Sequence, residues 1–330
     1  MTDTAAAAGG VAAYRYLDVY LAPLQPYLDQ ADITDIFINR PGELWIERLG
    51  QQPIRYAAPL LDDEALWRLA RQIASLTHQG ISREHPLLAA ILPDGSRIQI
   101  VAPPATRGPI AIAIRKHVVA DFSLDDYARE GAFEKTERIA DPSLGKRQID
   151  IGERTVQATL REAVLNRHNI IISGGTATGK TTFLNALLKE VPLDERLILI
   201  EDTPEIRINH ANAVGLVATK GKLGEASVTT DDLLQASLRM RPDRIILGEL
   251  RGGEAYSFLR AVNTGHPGSL TTLHADSPQG AIEQLALIIL QSGVQLRRSD
   301  IVDYVRSVVG LIVQLGRHQG QRRVSQLRVP

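Results

Sequence analysis

Asn169-Ile170-Ile171-Ile172-Ser173-Gly174-Gly175-Thr176-Ala177-Thr178-Gly179-Lys180-Thr181-Thr182 decides how this chain folds. The apolar, β-branched run at its start reads as a strand buried on both faces. A glycine-rich loop follows, and then a helix over residues 181–190. Residues 174–181 fit G-x-x-x-x-G-K-[ST] in full, in the strand–loop–helix setting the pattern needs. Backbone N–H groups of such a loop wrap a phosphate, and the helix N-terminus adds partial positive charge. Lys180 is placed to reach β/γ oxygens and the Thr181 hydroxyl to ligate Mg²⁺. The stretch Gly174, Gly175, Thr176, Ala177, Thr178, Gly179, Lys180, Thr181 and Thr182 is thus the candidate ATP-binding segment.

Working outward, Leu197-Ile198-Leu199-Ile200 and Arg244-Ile245-Ile246-Leu247 are two more buried-type strands. With helices between them, including one over 155–167, they predict a mostly parallel sheet covered on both faces. Residues 311–315 and 322–329, joined by a turn at 317–320, predict a terminal hairpin. The region before 120 follows another grammar. Hairpins are expected at 33–47, around Pro41-Gly42, and at 87–101, around Pro93-Asp94-Gly95. A helix capped by Asp62 runs to about residue 78, and another strand covers 110–115. The expectation is α/β overall: a small α+β domain (1–120), a linker (121–150) and a P-loop domain (151–330).

Composition narrows the function. The 330 residues carry 37 Lys+Arg against 38 Asp+Glu, a net charge of -1. That balance steers nothing toward nucleic acid, and sequence-specific nucleic-acid binding is not expected. The chain has no cysteine. Disulfides, Cys-based zinc sites and thiol nucleophiles are excluded. Met1–Gly10 lacks a charged n-region and an apolar h-region, so no secretory signal is expected. The apolar runs are far shorter than a spanning helix, leaving peripheral membrane contact at most.

Hydrolysis of a triphosphate also needs a metal-holding acid and a group that acts on water. Ligands of open α/β sheets bind past the carboxyl ends of strands. Two acidic segments sit there: Glu201-Asp202-Thr203-Pro204-Glu205 and Gly248-Glu249. The second reads like a Walker B strand with glycine where the metal-associated aspartate usually stands. Glu249 is then free to act on water, and metal duty falls on Thr181 and Glu201. His274 follows the small residues Gly265, Gly268 and Ser269, which let backbone pack against a nucleotide loop. Alternation places Arg97 and Arg115 on the non-core faces of their strands, either as solvated charges or as arginines for a γ-phosphate.

Taken together, SGGTATGKTT (173–182), IEDTPEI (200–206), RMRPDRIILGELRGGEA (239–255) and NTGHPGSLTTLHA (263–275) resemble the secretion ATPase superfamily of type II and type IV secretion and pilus motors. They stand in that superfamily's order of Walker A, Asp box, Walker B and His box. PDGSRIQI (93–100), IAIRK (112–116) and FSLDDYAREGAF (122–133) bring the chain nearest to the type IV secretion traffic ATPases.

The resemblance implies a RecA-like P-loop domain, a homo-hexameric ring, and a nucleotide between the small and RecA-like domains. It assigns Lys180 and Thr181 to phosphate and Mg²⁺, Glu201 and Glu205 to the Asp box, and Glu249 to the water. It makes His274 a γ-phosphate contact and brings Arg97 and Arg115 to the nucleotide. Arg239, Arg241 and Arg251 become candidates for phosphate or inter-subunit contacts. It implies partners among inner-membrane secretion components and a place at the cytoplasmic side of that membrane.

Zero cysteines argue against the zinc-bearing extension motors and leave retraction and tad-type pilus ATPases as alternatives. A DNA-translocating ATPase and a non-catalytic nucleotide-gated scaffold are the readings from other classes. Position 177 is often Gly or Ser in this superfamily. Alanine at positive φ costs roughly 1–2 kcal/mol, so Ala177 is expected at φ < 0.

Overall fold

The computed structural model describes residues 17–48, 51–77, 79–116, 121–140, 149, 151–152, 154–220, 227–318 and 321–330. The chain forms two compact units. One takes residues 1–118 and 220–227, the other 119–219 and 228–330.

The first unit is an antiparallel sheet covered on one face. Its strands are β1 (Ile33–Ile38), β2 (Gly42–Arg48), β3 (Ile54–Ala58), β4 (Leu87–Ile91), β5 (Arg97–Val101) and β6 (Ala111–Arg115). They lie in the order β3-β2-β1-β6-β5-β4. Helix α1 (Gln25–Leu28) is short; α2 (Asp63–Leu76) starts where the Asp62 carboxylate accepts from the Ala65 amide at 2.8 Å. Its buried stripe of Leu66, Leu69 and Ile73 packs with Ile98, Ile100, Ile112 and Ile114 from alternate strand positions. The intervening residues, Arg97 and Arg115 among them, face away from that core.

The second unit has a sheet of eight strands. They are β7 (Glu137–Ala140), β8 (Ile170–Gly174), β9 (Leu197–Glu201), β10 (Ala213–Val217), β13 (Arg244–Leu250), β14 (Leu270–Leu273), β15 (Leu311–His318) and β16 (Gln321–Val329). β11 (Thr219–Lys220) and β12 (Ser227–Val228) form a separate pair. The order is β10-β9-β13-β14-β8-β15-β16-β7, and only the β15–β16 contact is antiparallel.

Strand β8 shows why the sequence folds this way. Ile170 and Ile172 join one core with Phe183, Leu184 and Leu187, while Ile171 joins the other with Phe258, Leu285 and Val305. A strand apolar at every position must be covered twice. The helices that cover it are α3 (Leu124–Arg129), α4 (Val156–Leu165), α5 (Lys180–Leu188), α6 (Thr230–Ser237), α7 (Glu254–Asn263), α8 (Pro278–Gln291) and α9 (Arg298–Val308).

The segment read as a linker is partly built into this unit. Ser123 and Asp126 form a capping box at α3, and Tyr127 stands edge-on to Phe183 at 5.1 Å between ring centroids. Burial pushes the Tyr127 hydroxyl up to about 12. β7 closes the sheet edge beside β16. Residues 141–148 lie outside the described residues.

Candidate nucleotide site

Parallel pairing brings the carboxyl ends of β8, β9, β13 and β14 to one edge of the sheet. Gly174, Glu201, Glu249 and His274 all follow from that register. The loop after β8 is tightly folded. A Cβ on Gly174 would come within 2.6 Å of Thr178 Oγ1, a separation only glycine allows. Gly179, at φ +90°, turns the chain into α5. Thr178 Oγ1 donates to the Gly175 carbonyl at 2.9 Å.

Lys180 lies back over the loop, its Nζ donating to the carbonyls of Gly174 (2.9 Å) and Gly175 (3.2 Å). Burial draws its ammonium below the ordinary lysine range, against the pull of the Glu249 charge. Ala177 corrects the expectation of negative φ: it sits at +59°. Steric strain of about 1–2 kcal/mol at a residue with a Cβ has to be offset by what surrounds it. Two side chains that sequence reasoning missed lie against this loop. Arg317 Nη2 donates to the Ala177 carbonyl at 2.7 Å. Arg322 lies over Gly179, where a Cβ would meet its Cδ at 2.9 Å.

The acidic segment after β9 is folded by its own first residue. Glu201, 7% exposed, accepts from the amides of Glu205 and Ile206, both at 2.8 Å. Asn185 of α5 clamps the same turn, donating to the Glu205 carbonyl (3.3 Å) and accepting from the Arg207 amide (2.9 Å). Glu205 is thereby placed to accept from the Thr181 hydroxyl at 2.8 Å. The sequence reading gave metal duty to Thr181 and Glu201. The hydroxyl's carboxylate partner here is Glu205, while Glu201 shapes the turn.

At the end of β13, Arg251 Nε donates to Glu249 at 2.6 Å and Arg251 Nη1 reaches Asp202 at 3.3 Å. Glu249, Arg251 and His274 line one cavity of about 330 Å³ with Leu250, Leu273, Gln284 and Ile288. The buried Gln314 of β15 ties two motifs together. It accepts from the Ser173 hydroxyl and donates to the Ala275 carbonyl at 3.1 Å.

Other expected residues lie elsewhere. Arg241 precedes β13, at the opposite end of the sheet from the loop. Seven strand residues separate the two ends by about 20 Å. Arg241 thus stands away from the nucleotide segment of its own chain, where an inter-subunit contact is the role left to it. Arg97 and Arg115 belong to the first unit, directly opposite each other in register. Arg115 Nε donates to Asp35 at 2.9 Å, and Arg97 is not free either.

A sequence profile of the type II/IV secretion system protein family matches residues 19–324. The chain belongs to that family. The type IV secretion system protein VirB11 of Bartonella henselae is 38% identical over 325 residues, 93% of this chain and 91% of the relative. VirB11 of Brucella suis is 41% identical over 318 residues, covering 93% and 88%. PtlH of Bordetella pertussis is 38% identical over 318 residues, covering 92% and 91%. The resemblance to type IV secretion traffic ATPases read from the motifs is thus borne out. Among solved structures, the ADP-bound retraction motor PilT matches with TM-score 0.58 and 18% identity over 95% of this chain and 82% of that one. The Legionella pneumophila ATPase DotB matches at 0.58 and 17%, over 92% and 79%. At such identity they show the shared ATPase fold alone. Among the described residues no helix is long and apolar enough to cross a membrane.

Proposed function

We propose that this type IV secretion ATPase is a Mg²⁺-dependent, homo-hexameric motor that hydrolyses ATP at the cytoplasmic face of the inner membrane. The reading is carried by one observation: Lys180, the Thr181–Glu205 pair, Glu249 and His274 converge past the carboxyl ends of adjacent parallel strands.

The loop amides of 174–182 and the N-terminus of α5 bind the phosphates. Lys180 exchanges two loop carbonyls for phosphate oxygens, a stronger charge-assisted pairing. Glu249 holds the attacking water and takes its proton, and Arg251 orients that carboxylate. His274 meets the terminal phosphate from the next strand.

The Thr181 hydroxyl and the Glu205 carboxylate are hard oxygen donors that fit Mg²⁺, which binds through one or two protein groups plus substrate phosphates. Among the described residues no cluster of three or more His, Asp or Glu forms a separate cage for a metal. The bound ion would neutralise charge on the phosphates.

Partners are inner-membrane secretion components, reached by peripheral association. Phosphate release by the full chain, followed while Mg²⁺ is restored after chelation, tests the site. Activity should return with Mg²⁺, and Glu205→Gln should need about tenfold more of the ion. Turnover indifferent to chelation would end the metal assignment. Sedimentation with a non-hydrolysable ATP analogue should give a hexamer; monomer alone would contradict the ring.

A further inference from the structure

We propose that Arg317 is a positioning residue of the phosphate loop, holding the Ala177 peptide in the left-handed turn that aims the Thr178 amide at the phosphate. The proposal rests on the ATP-site reading above and adds a residue that none of the four motifs contains.

A trans peptide is planar, so its C=O and N–H point in opposite directions. The Arg317 guanidinium donates to the Ala177 carbonyl at 2.7 Å. The Thr178 N–H of the same peptide is therefore turned the other way, toward the side where loop amides cradle a phosphate. Ala177 reaches this orientation only at φ +59°, where an L side chain is strained. Without a hold on its carbonyl, the residue gains by relaxing to φ < 0, and the amide then leaves the cradle.

The fold explains why the arginine stands there. β15 pairs with β8 so that Leu315 is opposite Gly174. Arg317, two residues further on, is past the last residue paired with β8 but still paired with Arg322 of β16, beside the loop that follows Gly174. It is exposed, so its removal opens no core.

This account differs from simple attraction between Arg317 and the nucleotide. Direct attraction is independent of what occupies position 177. Positioning matters only while that residue resists its own conformation. Glycine adopts positive φ freely, so Ala177→Gly removes the need for the hold.

The test is a double-mutant cycle on the full chain, read as ADP affinity by calorimetry with Mg²⁺ present. Arg317→Ala should weaken ADP binding roughly five- to thirtyfold when Ala177 is present. In the Ala177→Gly background the same substitution should cost less than about twofold. Arg317→Met, which keeps the side-chain length and removes the donor, should behave as Arg317→Ala does. Apo melting temperatures should be unchanged across the set. Equal losses in both backgrounds, or no loss in either, would overturn the proposal. Failure of the wild-type chain to bind ADP would instead overturn the site reading on which it rests.

Discussion

The two ends of the eight-stranded sheet hold their charges on opposite terms. At the amino end Arg244, with no exposed surface, donates twice to Glu195 (2.6 and 2.9 Å) and to the Val164 and Gly268 carbonyls. Every partner is fixed, and a Cβ on Gly268 would already meet Arg244 Nη1 at 2.7 Å. At the carboxyl end Lys180 rests on loop carbonyls, Arg251 on Glu249 and Arg317 on Ala177. Those contacts involve half-buried or exposed side chains, and those of Lys180 are the ones a phosphate can replace. One end locks the motifs together, and the other keeps charge available for exchange.

The largest effect should come from breaking the locked end. Arg244→Met strips the partly buried Glu195 of its main partner, leaving it Arg167, and should cost about 1–3 kcal/mol, read by denaturant unfolding. The hydrogen bonds from Arg244, helped by Arg167, hold the Glu195 carboxyl below the usual carboxylate range. A lowered carboxylate stabilises the fold above its unfolded value of about 4.3, and that stability is lost as pH falls through the folded value. The wild-type chain should therefore lose stability on the acid side of about pH 4. Arg244→Met should show a smaller share of that loss. Equal acid sensitivity in both would show that the pair does not carry it.

Lys180→Ala should do the reverse. Phosphate release should fall by about 100- to 1,000-fold, with the melting temperature unchanged, because the lysine holds loop carbonyls and no core. A large fall in stability would erase the contrast between the ends. The smallest effect belongs to Arg241→Ala. Single-site ADP affinity, measured on dilute protein, should match wild type because this residue stands at the locked end. A clear loss there would reopen its assignment to the nucleotide of its own chain.

How far the sequence reaches follows from the same contrast. The phosphate loop and β8, β9 and β13 were legible because apolar runs and glycine spacing are local. The alternation of β5 and β6 correctly turned Arg97 and Arg115 away from their core. β14 was read only as part of the His box, because Thr271 and Thr272 disguise a fully buried strand. The Thr272 hydroxyl is satisfied by the Gly248 carbonyl at 2.7 Å, a partner on another strand.

The residue-level misses share that cause. Arg317 and Arg322 flank the loop through the β15–β8 and β15–β16 registers, which no local pattern encodes. Arg241 sits within a motif yet at the amino end of its strand, since motif membership does not say which end of a strand a residue occupies. Ala177 was assigned the φ that sterics prefer locally, and the loop takes the other. Glu205 stands at Thr181 because Glu201 folds the turn between them, a division of labour invisible in the spacing.

The central claim is that the carboxyl end of this sheet cleaves ATP, with Glu249 acting on water. Single-turnover hydrolysis by wild type and Glu249→Gln, with ATP binding measured in parallel, tests it most directly. The account predicts similar binding and a rate at least about 100-fold lower in the variant. Identical slow traces from the two proteins would contradict it.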